Sequence, residues 1–275
     1  MPVLFRFFFA NICKTNLLNF HTPVPIELLL VFIHFFVILR YMLNFEKFDV
    51  LTFDCYGTLI DWEKGILSSL KPVLNNHGIE IGGDEILEIY SVLEAKAEGG
   101  EYQTYKSVLR SILRGFATKF CFKPSEEELA VFSTCVKHWP PFEDSTKALK
   151  ALQTKYKLCI LSNIDDDLFA FSAQNFQVNF DTVFTAQLIG SYKPSLQNFQ
   201  FAVKHLGLPK ERILHVAQSL FHDIVPAKKL GLATVWLNRR EGKEGFGATP
   251  AAEAKPDFEV PDLQSLVDLI GTFKT

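Results

Sequence analysis

Methionine is nearly missing from this chain: 275 residues hold two, Met1 and Met42. Cysteine is sparse as well, and the five present (Cys13, Cys55, Cys121, Cys135 and Cys159) are odd in number and form no C-x-x-C pair. A disulfide framework and a zinc ribbon are excluded on that spacing, and reduced thiols in a cytoplasmic setting are expected. With 15 glycines and 13 prolines the chain is neither collagen-like nor of low complexity. Charge of one sign is lacking too: a formal net charge of -3 offers no electrostatic attraction to nucleic acid or an acidic lipid surface. The partner expected is therefore a small molecule, with a homodimer left open. What the chain has is 48% hydrophobic and 21% charged residues, in a length that suits one large domain or a domain carrying an insertion.

Residues 1–41 differ from the rest. They hold eight of the 27 phenylalanines and four charged side chains, Arg6, Lys14, Glu27 and Arg40. Their longest uncharged apolar run, Leu28 to Leu39, is 12 residues and includes His34, whereas a spanning helix needs about 20. The run is followed by Arg40-Tyr41-Met42, without the small residues of a signal-peptide cleavage site. Globular patterning begins directly after Met42. Three readings follow: a start at Met42, a membrane segment with Glu27 and Arg40 at its interfaces, or a packed extension. The first is the expectation, and contact with a membrane is expected only if residues 1–41 are translated.

From Phe45 onward short apolar runs alternate with helical stretches. The runs are Phe48–Phe53, Leu158–Leu161, Thr182–Phe184, Ile213–Val216 and Thr234–Leu237, and helices are expected over 143–154, 165–175, 195–206 and 222–230. Such alternation implies right-handed crossovers and a parallel sheet covered on both faces. The spacing predicts an α/β fold, a Rossmann-like doubly wound sheet built from 42–61 and 141–275. Residues 62–140 read as an inserted helical domain. Within it Ser125 and Glu128 form a capping box opening a helix to about Val136. Residues 241–256, with three glycines and two prolines, read as a long loop.

In open parallel sheets ligands bind beyond the carboxyl ends of the strands. Polar residues recur there: Asp54 and Thr58 after the first run, Ser162-Asn163 after the second, Lys193 after the third and His222-Asp223 after the fourth. Each has a bland explanation alone, as a turn residue, a helix cap or a solvated loop charge. Their succession at consecutive strand ends points to one rim holding a nucleophile, hydroxyl and amide groups, a cation and a second carboxylate.

These residues resemble the four motifs of the haloacid dehalogenase superfamily: Asp54-Cys55-Tyr56-Gly57-Thr58, Ser162-Asn163, Lys193-Pro194 and Asp223, over roughly residues 45–271. Superfamily phosphatases carry Asp-x-Asp in the first motif, and Tyr56 at the second Asp position is similar to the L-2-haloacid dehalogenase branch. The resemblance implies that Asp54 attacks the carbon bearing a halogen, that Lys193 holds its carboxylate and that Asp223 helps position or activate water. It implies that Cys55, Tyr56, Thr58 and Ser162 contact a small carboxylic acid and that Asn163 lies near the leaving halide. No metal is required, since halide leaves without a proton donor; under a phosphatase alternative Mg²⁺ would be held by Asp54 and Asp223. Several positions depart from the branch. Its halide-binding arginine falls near Ser91, and no Arg occurs between Arg40 and Arg110. Phe199 replaces a tyrosine, Gln218 and Leu220 replace a serine and an asparagine, and His222 replaces an aromatic residue. Dehalogenase-type hydrolysis is the expectation, with a phosphatase of small organic phosphates or a non-catalytic binding protein as alternatives. The insertion is expected to close over Asp54, with Trp62, Tyr102, Tyr105 and Trp139 as candidates for apolar cover.

Overall fold

The computed structural model describes residues 44–243 and 245–272. The apolar segment 1–41 and Met42, with the three readings of that segment, lie outside the described residues. The chain divides into two compact units, residues 48–264 and residues 1–47 together with 265–275. In the second unit the described residues form a short 3₁₀ turn, Phe45–Lys47, and the body of a C-terminal helix.

The first unit is built on a parallel sheet. Strand β1 (Val50–Phe53) is buried along its whole length, as expected of a strand covered on both faces. Four helices follow it before the next strand: α1 (Trp62–Asn76), α2 (Gly83–Glu98), α3 (Tyr105–Phe120) and α4 (Glu126–Phe132). Helix α3 buries Tyr105, Val108, Leu109, Ile112, Leu113 and Phe116, a stripe at helical spacing. The Ser125–Glu128 capping box is formed, with both reciprocal hydrogen bonds present. Its helix stops at Phe132, short of Val136, because the Ser133 and Thr134 hydroxyls turn back onto the carbonyls of Ala130 and Val131 and compete with continuation. A 3₁₀ turn at Cys135–His138 completes the insertion. Trp139 packs so closely on α1 that a Cβ at Gly65 would lie 2.2 Å from its ring.

The remaining elements alternate: α5 (Ser145–Gln153), β2 (Lys157–Ser162), α6 (Asp166–Ala173), β3 (Thr182–Thr185), α7 (Ala186–Ile189), α8 (Leu196–Leu206), β4 (Ile213–Ala217), a π-turn (Leu220–Ile224), α9 (Val225–Leu230), β5 (Ala233–Leu237), β6 (Phe258–Val260) and α10 (Leu263–Thr272). The strand order is β3-β2-β1-β4-β5-β6, with every neighbouring pair parallel. One layer of the core, formed by Leu161, Phe184, Phe199, Ala202, Ile213 and Ala227, packs strands against the helices covering them. The order reverses between β1 and β4, which places the ligand crevice at the carboxyl ends of those two strands. Among the described residues no helix is long and apolar enough to cross a membrane.

Candidate active site

Asp54 leaves β1 at that reversal point, and its amide donates to Val216 O of β4 at 3.2 Å. The following loop folds back because Cys55 O accepts from the amides of Thr58, Leu59 and Ile60. Gly57 makes the turn with φ +91°, and a Cβ there would sit 2.9 Å from Trp62 Nε1, so conformation and space both demand glycine. The turn brings Thr58 Oγ1 within 2.8 Å of Asp54 Oδ2, to which it donates, and the same oxygen accepts from Gln218 N at 2.9 Å.

Lys193 enters from the loop after β3. Its Nζ donates to Asp54 Oδ1 at 2.8 Å, Asp223 Oδ1 at 2.7 Å and Leu161 O at 2.9 Å, which uses all three ammonium protons. Asn163 secures this loop: its Oδ1 accepts from Lys193 N at 2.7 Å, and its Nδ2 donates to Lys193 O and Glu98 Oε2, each at 3.0 Å. The Lys193–Pro194 peptide is cis.

Asp223 sits on the π-turn rather than in an open loop, and its Oδ1 also accepts from His215 Nε2 at 3.0 Å. A carboxylate only accepts, so Nε2 carries the proton. His215 Nδ1 lies 3.0 Å from Thr52 Oγ1, its register partner across β1 and β4. No motif singled out His215; the available signal was one histidine inside the apolar run Ile213–Val216, just before Asp223.

Burial pushes the Asp54 carboxyl upward, opposed chiefly by the Lys193 ammonium and reinforced by the charge of Asp223. Burial acts on Asp223 in the same sense, but Lys193 and His215 together outweigh it and hold that carboxyl below the ordinary range. For Lys193 burial is likewise outweighed, by Asp223 and Asp54, so its ammonium is held above the usual value.

Opposite this rim stands helix α2. Leu87, Tyr90, Ser91 and Glu94 form its buried stripe, and Glu98 follows one turn later. Tyr105 OH donates to Glu94 Oε1 at 2.6 Å and contacts Tyr90 OH at 2.9 Å. Burial raises Glu94 to about 7 and Glu98 well above the carboxylate range. Rim and helix enclose a cavity of about 30 Å³, room for a water or two. Asp54, Glu94, Glu98, Ser162, Lys193 and Asp223 all line it, with Tyr56, Trp62, Tyr105, Asn163, Ser219 and His222. Burial drops His222 to about 4, so it is neutral at pH 7. A larger cleft of about 750 Å³, lined by Glu63, Lys71, Asp84 and Arg240 among others, contains none of the motif residues. Asp165 ties rim to insertion, its carboxylate accepting from Tyr105 N at 2.7 Å and Lys106 N at 3.0 Å at the start of α3.

The residues expected to contact substrate lie in different places relative to the cavity. Cys55 and Thr58 do not line the cavity: the Cys55 side chain is fully buried, and the Thr58 hydroxyl is committed to Asp54 and Gln218. The Tyr56 ring faces the cavity, but its hydroxyl is 2.9 Å from Ser172 Oγ. Asn163 lines the cavity with its amide engaged on both sides by Lys193 and Glu98. Ser162 Oγ is buried there without a hydrogen-bond partner among the described residues. Ser91 is buried outside the cavity, and Glu94 and Glu98 occupy the positions on α2 that face it. Of the four candidate cover aromatics, Trp62 and Tyr105 line the cavity; Tyr102 is exposed against Tyr192, and Trp139 packs edge-on to Tyr56. Phe199 packs on the His215 ring, 5.2 Å between centroids. The Gln218 backbone holds Thr58 and Trp236, and its Oε1 is buried without a partner among the described residues.

A carboxylate–ammonium–carboxylate centre at the order reversal of a parallel sheet, roofed by helices inserted after the first strand, defines an α/β protein of hydrolase architecture. The family model for haloacid dehalogenase-like hydrolases matches residues 48–231, and the chain belongs to that family. It is 25% identical over 217 residues to an (S)-2-haloacid dehalogenase of Pseudomonas fluorescens, covering 78% of this chain and 92% of that one. To the pyrimidine 5'-nucleotidase YjjG of Escherichia coli it is 23% identical over 222 residues, 78% and 97% of the two chains. Its fold matches the L-2-haloacid dehalogenase of Xanthobacter autotrophicus solved with chloropropionic acid covalently bound, with a TM-score of 0.66, 22% identity, and coverage of 82% and 98%.

Proposed function

We propose that this chain is a hydrolase of dehalogenase type: the Asp54 carboxylate displaces halide from a small organic substrate, and water cleaves the resulting ester. The observation that carries this reading is the state of position 56. A phosphate ester expels an alkoxide, which gains from a proton donor beside the nucleophile. Here Tyr56 turns its hydroxyl to Ser172, and burial pushes its pKa well above the ordinary value, so it offers no proton. Halide, a weak base, needs none.

In the first step an Asp54 oxygen forms a C–O bond as the carbon–halogen bond breaks, and halide leaves with the electron pair. Lys193 and Thr58 hold the carboxylate in one orientation, each contributing one hydrogen bond. In the second step water adds to the ester carbonyl and the substrate alcohol departs. Asp223 Oδ2, buried and without a hydrogen-bond partner among the described residues, accepts the water proton and passes it to the alkoxide or to solvent. One organic halide and one water give one alcohol, one halide ion and one proton.

Mg²⁺ prefers six oxygens in octahedral array and is ordinarily held through one or two carboxylates and water. Under the phosphatase alternative Asp54 and Asp223, which share the Lys193 ammonium, would supply those carboxylates. No step above uses the ion. The names of the relatives point to 2-halocarboxylic acids as the first substrates to test. Incubation with 2-chloropropionate in chelator-treated buffer is expected to release chloride and to leave a mass adduct on the peptide containing Asp54. Mg²⁺-dependent phosphate release from organic phosphates, with no halide released and no adduct, would replace this reading with the phosphatase. No reaction of either kind would favour a non-catalytic binding protein.

A further inference from the structure

We propose that Glu98 acts as a neutral acid whose Oε1–H donates a hydrogen bond to the substrate's carboxylate, doing on α2 what a cation would otherwise do. The identity of that anion rests on the dehalogenase reading; the claim concerns how the anion is held, not the attack by Asp54.

The cavity has more carboxyl groups than its cations can balance. Asp54, Glu94, Glu98 and Asp223 line it, and Lys193 is the one ammonium or guanidinium among its described lining residues. All three Lys193 protons go to Asp54, Asp223 and the Leu161 carbonyl, leaving none for a ligand. Asn163 gives both amide protons to Lys193 O and Glu98 Oε2. A buried carboxyl without a counter-charge keeps its proton. Glu94 and Glu98 also stand four residues apart on one helix, where like charges repel. Burial, and after it the charge of Glu94, raises Glu98 well above the carboxylate range.

The hydrogen bonds fix which oxygen carries the proton. Oε2 accepts from Asn163 Nδ2 at 3.0 Å, the role of the carbonyl oxygen. Oε1 is buried without a hydrogen-bond partner among the described residues, so its O–H has no acceptor there, which costs free energy. A ligand carboxylate only accepts and supplies the missing partner. It does so only while Glu98 is neutral, because an ionised Glu98 repels it. Glu94 offers no equivalent, since the Tyr105 and Tyr90 hydroxyls already hold it.

The titratable groups around Glu98 are Glu94 on its own helix, Tyr105 on α3, Tyr192 and Lys193 on the loop after β3, and Asp54, His222 and Asp223 on the rim. Glu94, raised to about 7, and Asp54, also raised, would imitate Glu98 in a pH profile. Glu98→Gln separates them, because it leaves both in place.

Formate, the smallest carboxylate, has no halogen to lose and reports anion binding independently of turnover. Its affinity for the full chain is measured by ligand-observed NMR titration from neutral to alkaline pH, with formamide as the neutral control. Wild type is compared with Glu98→Gln and Glu98→Leu. The anion binds the protonated form, so formate binding by wild type is expected to fall about fivefold or more as pH rises through the Glu98 titration. Formamide is expected not to share that fall. Glutamine accepts from Asn163 through its oxygen and offers an N–H in place of the O–H at every pH. Glu98→Gln is therefore expected to match wild type at neutral pH and to lose most of the fall. Glu98→Leu, with no donor, is expected to bind formate about fivefold or more weakly at neutral pH. A fall that persists in Glu98→Gln, an equal fall for formamide, wild-type affinity in Glu98→Leu, or no formate binding by wild type would each overturn the assignment. Loss of the pH effect beside an intact Asp54 adduct removes only the role of Glu98. An intact effect without any adduct supports the anion site and removes only the chemistry.

Discussion

The two faces of the cavity solve the problem of buried charge in opposite ways. On the sheet rim, Asp54 and Asp223 share the Lys193 ammonium, with Thr58 and His215 completing the set. Each charge there has a counter-charge or a donor within 3.0 Å. On helix α2, Glu94 is held by the Tyr105 and Tyr90 hydroxyls and Glu98 by an asparagine amide, and burial raises both carboxyls. A compensated rim holds its groups in fixed orientation, which suits a nucleophile and a proton acceptor. An uncompensated roof stays responsive to what enters, which suits selection.

The largest contrast should appear on substituting the rim. Asp54→Asn is expected to lower turnover about 10⁴-fold or more while the protein stays folded, because Lys193 retains Asp223 as its counter-ion. Near-wild-type turnover in the folded variant would remove Asp54 as nucleophile. Lys193→Ala should destabilise the fold by about 3–5 kcal/mol, since two buried carboxylates lose their shared counter-charge; denaturant titration measures it. Its pH–rate profile carries a sign as well. Lys193 opposes the upward push of burial on Asp54, so its loss moves the acid limb of activity to higher pH. A limb that stays in place would mean that Lys193 does not set the nucleophile's protonation.

A smaller loss, about 1.5–3 kcal/mol for a buried hydrogen bond to a charged group, is expected from His215→Phe, which strips Asp223 and Thr52 of a partner. On the roof, the expected effect is a change of shape with pH. The folded pKa of Glu94 is raised to about 7. The native state therefore binds more protons than the unfolded chain between the ordinary glutamate value and that point, and stability falls as pH rises through this window. Glu94→Gln should flatten the fall, and melting curves across the window read it directly. An unchanged slope would show that Glu94 is not the group responsible.

This asymmetry also explains what the amino-acid sequence revealed. Five of the six strands are visible as short apolar runs, because a strand covered on both faces is built mostly from apolar residues. Strand β6 is three residues at the sheet edge, with only Val260 buried, and leaves no such trace. Asp54, Lys193 and Asp223 are legible since chain order places them at successive strand ends. His215 is one polar residue in an apolar run. Glu94 and Glu98 share a helix with Glu85 and Glu88, which are exposed, and composition cannot separate the two pairs. Their distinguishing mark is phase: at three and seven residues after Ser91 they continue the buried stripe of α2. Cys55 and Thr58 lie off the cavity for a related reason: the turn at Gly57 sets the Thr58 hydroxyl between Asp54 and Gln218, and Cys55 is fully buried.

The rim's role is tested most directly by turnover in ¹⁸O-labelled water, with mass spectrometry of the Asp54 peptide afterwards. If water attacks the ester carbonyl, repeated turnover is expected to place ¹⁸O in the Asp54 carboxylate, and the alcohol from the first cycle is expected to carry an unlabelled oxygen taken from the protein. Label entering the product alcohol from the first turnover, with an unlabelled Asp54 after many, would mean that water attacks the substrate directly, and would contradict a covalent role for Asp54.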